Sequence, residues 1–160
     1  MNPVILKQTA ILSAILGGIL GLLTLIPFVG GFSFLILMLC ISAIIIIYMK
    51  RNELIGIIDL KEGAILGAVI GFVSFIAFSI VFIPLAAILS LIFKMYYYLG
   101  WLTMLLKASG LFVLVILVIF MGILSALMNA FTGLSTAYAY EVLSGIKKEQ
   151  NESVDFEIKE

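Results

Sequence analysis

Long apolar runs without a charged residue dominate the pattern along this chain. Three such runs cover residues 8–49, 63–93 and 108–140, with lengths of 42, 31 and 33 residues. A helix needs about 20 apolar residues to cross the hydrocarbon core of a bilayer. The first run is long enough for two crossings, and each of the others is long enough for one. The pattern therefore predicts an all-helical integral membrane protein with four transmembrane helices, which we name spans 1 to 4.

Turn residues and charges set the expected limits of the spans. The segment PFVGG at 27–31 divides the first run, because proline ends a helix and paired glycines favour a tight reversal. Pro84 is expected to kink span 3. The predicted spans, arranged as two hairpins, are residues 5–26, 32–49, 62–91 and 110–139. They form a transmembrane domain of residues 1–144, followed by a polar cytoplasmic tail at 145–160 whose mixed charge is typical of disorder, or alternatively of a short helix.

The segment between spans 3 and 4 combines aromatic side chains with flanking lysines. It carries Tyr96, Tyr97, Tyr98 and Trp101 between Lys94 and Lys107. Aromatic rings with one polar edge settle at the level of the lipid headgroups. We therefore expect a short amphipathic helix on the membrane surface, which acts as an anchor or, alternatively, as a lid or lipid-binding surface over the bundle.

Lysine and arginine predict the orientation. With four spans, both termini and the loop between spans 2 and 3 lie on one side of the membrane. That side carries seven basic residues, against two on the other side. Basic residues concentrate on the cytoplasmic side of membrane proteins. We therefore expect a multi-pass protein of the plasma membrane with cytoplasmic N- and C-termini.

Composition agrees with a membrane protein and excludes several functions. Apolar residues make up 64% of the chain and charged residues 11%, with a mean hydropathy of +1.34. A soluble domain is about 45–50% apolar and about 25% charged. A net charge of zero leaves no basic surplus for nucleic acid. Without histidine or a charge inside the runs, we predict no catalytic residue, no cofactor and no bound metal.

An internal similarity links the first and third spans. Residues 10–18 read AILSAILGG and residues 64–72 read AILGAVIGF, at an offset of 54. A duplicated two-span hairpin would give a 2+2 repeat whose copies share their orientation. The alternative is chance similarity, because segments rich in alanine, glycine and isoleucine align easily.

Small residues follow a spacing of four in the same two spans. Residues four apart share a helix face, and small side chains on that face let another backbone approach closely. We predict that spans 1 and 3 cross closely, or alternatively that one track contacts a partner subunit. The series in span 1 begins at Thr9, and the predicted helix-packing residues are Ser13, Gly17, Gly21, Gly63, Gly67 and Gly71.

One polar stripe runs along span 4. Its members are Ser125, Asn129, Thr132, Thr136 and Tyr140, at spacings of four, three, four and four. Such residues commonly hydrogen-bond to neighbouring helices in membranes. The alternative is the wall of a hydrated path. Asn129 is the most informative member, because an amide inside a membrane needs partners or water.

The order of these features resembles that of small, uncharacterised four-span membrane proteins of bacteria and archaea. The resemblance rests on ILGGILGLL in span 1, the turn IPFVGG, the basic end YMKR of span 2, and EGAILGAVIG at the start of span 3. It covers about residues 10–75 and implies the four-span topology. That group has no assigned activity, so the resemblance implies no function.

These features favour a non-enzymatic function within the bilayer. The leading hypothesis is a protein that packs as a homo-oligomer or serves as an accessory subunit of a membrane complex. Its expected partners are the lipid bilayer and either itself or another membrane protein. The alternative is a small channel or facilitator along the stripe of span 4. A membrane enzyme would have to work without histidine or intramembrane carboxylates.

Overall fold

A computed structural model describes the backbone of residues 3–56, 58–93 and 96–157, and the side chains of 3–56, 58–90, 92, 110 and 112–143. All regular structure in these residues is helical. Four of the described helices are long and apolar enough to cross a membrane. The chain is therefore compatible with a multi-pass helical membrane protein.

The four spans overlap the predicted ones and differ from them by a few residues at most ends. Span 1 is the helix Pro3–Leu23, and span 2 covers Val29–Arg51. Span 3 is Leu60–Ser90 within a helix that continues to Phe93. Span 4 is Phe112–Leu143 within the last helix, Tyr96–Glu157.

The turn between spans 1 and 2 is built differently from the predicted glycine reversal. Span 1 ends with bonds from the N–H groups of Leu25 and Ile26 to carbonyls three residues earlier, each 3.1 Å long. Phe28 then takes the positive φ of 70°, whereas the two glycines already belong to the next helix. A Cβ on Gly30 would lie 2.6 Å from the carbonyl oxygen of Thr24. The glycine is therefore needed for close packing across the turn.

Span 2 is a continuous helix with one irregular turn. Regular α-helix covers Val29–Leu35 and Ile41–Arg51, and the five residues Ile36–Cys40 between them form a π-helical turn. A π turn pairs each N–H with the carbonyl five residues earlier instead of four. It therefore frees backbone groups at the turn for other partners.

Span 3 lies between spans 1 and 4, and span 2 packs against spans 3 and 4. The apolar core lies mainly between spans 2 and 3. Its buried side chains are Leu20, Leu37, Ile41, Ile45, Ile46, Met49, Leu66, Ile70, Phe75 and Phe78, together with Ile55 of the loop after span 2. Span 4 contributes small or polar buried residues to this packing, among them Ser125, Asn129 and Ala137.

The last helix is interrupted once and then runs further than expected. Gly110, with φ 69° and ψ 173°, breaks it between residues 96–109 and span 4. Beyond span 4 the backbone stays helical to Glu157, through most of the segment for which the sequence predicts a disordered tail or a short helix. The lysine, glutamate and glutamine residues of this segment favour helix, which accounts for the difference.

Candidate functional site

The polar stripe of span 4 centres on Asn129, whose side chain is completely buried, with 0% exposed. Span 4 places this amide directly opposite the π turn of span 2. The side-chain oxygen accepts a hydrogen bond from the backbone N–H of Ser42 at 3.1 Å. The side-chain nitrogen donates to the backbone carbonyls of Leu37 and Met38 at 3.1 and 3.0 Å.

These contacts insert the Asn129 amide into the hydrogen-bond ladder of span 2. In a regular α-helix the N–H of Ser42 would donate to the carbonyl of Met38, four residues earlier. Here the asparagine oxygen takes the N–H and the asparagine nitrogen takes the carbonyl. Insertion of a side chain into the ladder is a recognised cause of helix distortion. The Asn129 amide therefore supports the π turn by satisfying the backbone groups that the turn frees.

We call the contact of Asn129 with the π turn of span 2 the junction. Two other members of the stripe extend it. The hydroxyl of Thr132 donates to the carbonyl of Leu39 at 2.8 Å, so span 4 reaches three consecutive carbonyls of span 2. The hydroxyl of Ser125 donates to the carbonyl of Gly71 in span 3 at 3.1 Å. The stripe thus links span 4 to two neighbouring helices at once.

The remaining members of the stripe lie nearer the end of the bundle where span 1 begins and span 4 ends, which we call the terminal end. Thr136 donates to the carbonyl of Thr132 in its own helix at 2.8 Å. Tyr140 is half-buried. Four of the five predicted residues therefore donate to backbone carbonyls, three of them across helices.

One buried polar atom stands beside the junction without a partner. The hydroxyl oxygen of Ser42 has no hydrogen bond in the structure, although this residue is completely buried. The N–H of the same residue is bonded to Asn129. A buried hydroxyl without a partner carries a desolvation cost of about 1–3 kcal/mol.

The glycines of span 3 let span 4 approach closely enough to form the junction. A Cβ on Gly71 would lie 2.5 Å from the carbonyl oxygen of Ser125. One on Gly67 would collide with the backbone of Asn129, and one on Gly63 would lie 2.6 Å from the Cβ of Ala137. These three glycines therefore contact span 4, whereas their spacing predicted a contact with span 1 or with a partner subunit.

The small residues of span 1 do pack against span 3, but further along it. Thr9, Ser13, Gly17 and Gly21 are all buried. A Cβ on Gly17 would collide with the backbone of Ser74, and the Ser74 hydroxyl donates to the carbonyl of Ser13 at 3.1 Å. Span 1 therefore meets residues of span 3 that the repeat did not single out.

Spans 1 and 4 pack on the same face of span 3. Gly67 and Ser74 are seven residues apart, as are Gly71 and Phe78, and seven residues complete two helical turns. Span 4 packs on this face near the terminal end, and span 1 packs on it nearer the opposite end. A single small-residue face thus joins three helices.

The contribution of span 2 does not follow from the sequence. Nothing in ILMLC at 36–40 distinguishes a π turn from a regular helix, because every residue in it is apolar. The N–H of Ser42 takes part in the site because the fold places the side chain of Asn129 beside it. The buried asparagine was the one available signal, since it required partners from another helix.

The junction contains amide, hydroxyl and carbonyl groups. It is suited to holding helices together, and it contains no nucleophile paired with a base. Within the described residues, no group of three or more histidine, cysteine, aspartate or glutamate side chains is placed to hold a metal ion. No protein-family model, curated protein or solved structure matches the chain. The resemblance of residues 10–75 to other four-span proteins therefore stays a prediction.

Proposed function

We propose that this chain is a small, non-enzymatic, multi-pass protein of the plasma membrane that assembles with copies of itself or joins a larger membrane complex as an accessory subunit. Its termini lie in the cytoplasm in this proposal. The observation that carries the proposal is the uneven cover of the four spans. In an apolar stretch of 18 residues in span 4, only 17% of the residues are buried inside the chain, compared with 39% in the corresponding stretch of span 2.

The uncovered face of span 4 offers a continuous contact surface. It lies opposite the face that carries Asn129, and its large side chains recur at helical spacing. Its most exposed members are Phe112, Phe120, Leu127, Phe131 and Tyr138. Aromatic side chains bury large areas in helix contacts, which suits a face that receives another membrane protein.

The two-hairpin arrangement and the internal repeat belong to the same proposal. Both copies of the repeated segment, residues 10–18 and 64–72, lie in helices that use small residues to approach a neighbour. This shared packing supports a duplication.

A small channel or facilitator along the stripe of span 4 is the alternative function. The contacts of the stripe support it less, because Asn129 and Thr132 donate to carbonyls of span 2 and Ser125 donates to span 3. Hydroxyl and amide groups that hold helices together are not free to line a path.

The experiment is to extract the protein from its cells in native lipid discs and to measure the composition and mass of the complex. We expect either a multiple of 17.5 kDa or a second protein at fixed stoichiometry. A variant with Leu127→Ala and Phe131→Ala should then release a single chain, because it removes the two most exposed side chains at the middle of the face.

The matched control replaces Ile11 and Ile15 of span 1 by alanine. These isoleucines are also exposed and four residues apart, at 52% and 55% exposure. The control should keep the assembly intact. A wild-type protein that is always extracted as a single 17.5 kDa chain would contradict the proposal. Loss of assembly in the control alone would assign the contact to span 1 instead.

A further inference from the structure

Spans 1 and 3 lie side by side in a constant register. Gly17 lies against Ser74, and Gly21 lies against Phe78. Both pairs are separated by 57 residue numbers, and the same separation joins the prolines at 27 and 84. The turn after span 1 and the proline of span 3 therefore lie at one height in the bundle.

The break at the start of span 4 lies close to the same height. Ala86 is buried in a small cluster with Leu25 and Leu114. Leu25 precedes the proline after span 1 by two residues, Ala86 follows the proline of span 3 by two, and Leu114 follows Gly110 by four. The turn after span 1, the proline of span 3 and the break before span 4 thus lie at similar heights, at the end of the bundle opposite the terminal end, which we call the far end.

The distance to the terminal end matches one hydrocarbon core. Lys7 is exposed on span 1, and 20 residues separate it from Pro27. In span 2 the same number of residues separates Gly30 from Lys50. The stretch from Gly30 to Lys50 is helical throughout and rises about 30 Å, which is the thickness of the hydrocarbon core of a typical bilayer. With the lysines at one boundary, the turn at the far end lies at the other.

Phe28 stands at this boundary in a strained and exposed position. Its φ of 70° and ψ of −38° form a conformation that costs a residue with a side chain about 1–3 kcal/mol. Its side chain is 92% exposed, so contacts within the chain do not offset that cost. The contacts available to this ring therefore lie outside the chain.

We propose that Phe28, with its exposed neighbours Ile26 and Phe32, forms a lipid-contact surface at the far boundary of the hydrocarbon core. The partner is the phospholipid layer, at the level where the acyl chains meet the glycerol groups. These side chains carry no charge, and their exposures are 92%, 48% and 72%. An aromatic ring at this depth fixes the position of the first hairpin in the bilayer.

If the boundary lies at this height, the end of the helix that contains span 3 lies outside the hydrocarbon core. Ile88 and Ile92 lie four and eight residues beyond Pro84 and are 51% and 66% exposed. They stand about 6 and 12 Å above that proline, and the headgroup layer on each side is about 5–7 Å thick. Ile88 therefore lies among the headgroups, and Ile92 lies at their outer surface.

Tryptophan fluorescence measures these depths directly, because the chain contains one tryptophan. On a Trp101→Phe background, three variants place a single tryptophan at different heights: Ile15→Trp, Phe28→Trp and Ile92→Trp. The purified proteins are reconstituted in phosphatidylcholine vesicles brominated either deep in the acyl chains or near the glycerol. Acrylamide in the aqueous phase reports exposure to water.

We expect deep bromines to quench the Ile15→Trp protein most and shallow bromines to quench the Phe28→Trp protein most. The preference should be roughly twofold, because 13 residues of chain hold the two sites about 15–20 Å apart. The Ile92→Trp protein should respond mainly to acrylamide. Strongest quenching of the Phe28→Trp protein by deep bromines would overturn the proposal. So would strongest quenching of the Ile92→Trp protein by either lipid.

Protection of the Phe28→Trp protein from both lipids and acrylamide would also overturn the proposal, since it would mean that protein covers this surface. All three original side chains are more than half exposed, so the substitutions fit without repacking. If one variant fails to fold, Ile26→Trp and Ile88→Trp test the same two heights.

Discussion

At the scale of single residues, Asn129 has a role that few side chains can fill. The position faces an N–H group and carbonyl groups of span 2 at the same time. An amide offers both an acceptor and two donors without a charge. The side chains of serine and threonine are shorter than that of asparagine and carry a single hydroxyl. An aliphatic side chain bonds to neither the N–H group nor the carbonyl groups. The position therefore suits an amide side chain, which bonds to both kinds of backbone group.

Replacing Asn129 by leucine should destabilise the bundle. The change leaves the N–H of Ser42 and the freed carbonyls of span 2 without partners, unless span 2 rewinds into regular α-helix. Helix-bridging hydrogen bonds in membranes contribute about 0.6–2 kcal/mol each, so we expect a loss of about 1–3 kcal/mol. Reversible unfolding in mixed micelles, followed by circular dichroism, measures it.

The control for this prediction is Ser135→Ala. Ser135 is exposed on the same span, and its hydroxyl donates to the carbonyl of Phe131 in its own helix at 2.9 Å. Its replacement should change the free energy of unfolding by about 0.5 kcal/mol or less. Equal stability of the Asn129→Leu protein and the wild type would mean that the junction contributes nothing.

At the scale of helices, small residues set how closely the spans approach. Lipid chains are as apolar as the spans themselves, so association depends on close packing and on hydrogen bonds between helices. The shared face of span 3 supplies both. Its glycines admit the backbone of span 4, and Ser74 both contacts Gly17 and donates a hydrogen bond to span 1.

Adjacent glycines of span 1 should respond oppositely to alanine. A Cβ on Gly17 would collide with the backbone of Ser74, whereas one on Gly18 would lie 3.6 Å from Val81, which is an ordinary contact. We expect Gly17→Ala to destabilise the bundle by about 1–3 kcal/mol through overpacking. Gly18→Ala should be neutral or stabilising by up to about 1 kcal/mol, because alanine favours helix.

The same micelle unfolding measurement compares these two variants. They differ by one position in the sequence and are identical in chemistry, so membrane insertion and helix propensity cancel between them. The test therefore isolates the contact with span 3. Equal effects of the two substitutions would show that span 1 does not pack on span 3 through Gly17.

At the scale of the whole molecule, an even number of spans puts both termini on one side of the membrane. The charge distribution predicts that this side is the cytoplasm. On a Cys40→Ser background, single cysteines at Val4, Asn52 and Glu141 should resist a membrane-impermeant thiol reagent in intact cells and react after permeabilisation. The opposite control is Lys107→Cys, which should react in intact cells. Mixed reactivity among the first three sites would contradict the four-span topology.

Much of the architecture followed from the sequence. The charge-free runs identified four apolar helices, and the structure has four within the described residues. The glycine and serine positions also marked buried faces. What the pattern did not specify was the partner of each face, because a small residue permits close approach by any helix that presents a matching surface.

The sequence by itself determined that the chain is a bundle of apolar helices, since hydropathy depends on composition within each segment and needs no knowledge of neighbours. Only the tertiary structure decided that span 3 receives spans 1 and 4 on one face, and that span 2 contains a π turn. The physical reason lies in the apolar run at 36–40, which is compatible with either helix type. The π turn is satisfied there because Asn129, about 90 residues away in the chain, supplies the missing hydrogen bonds.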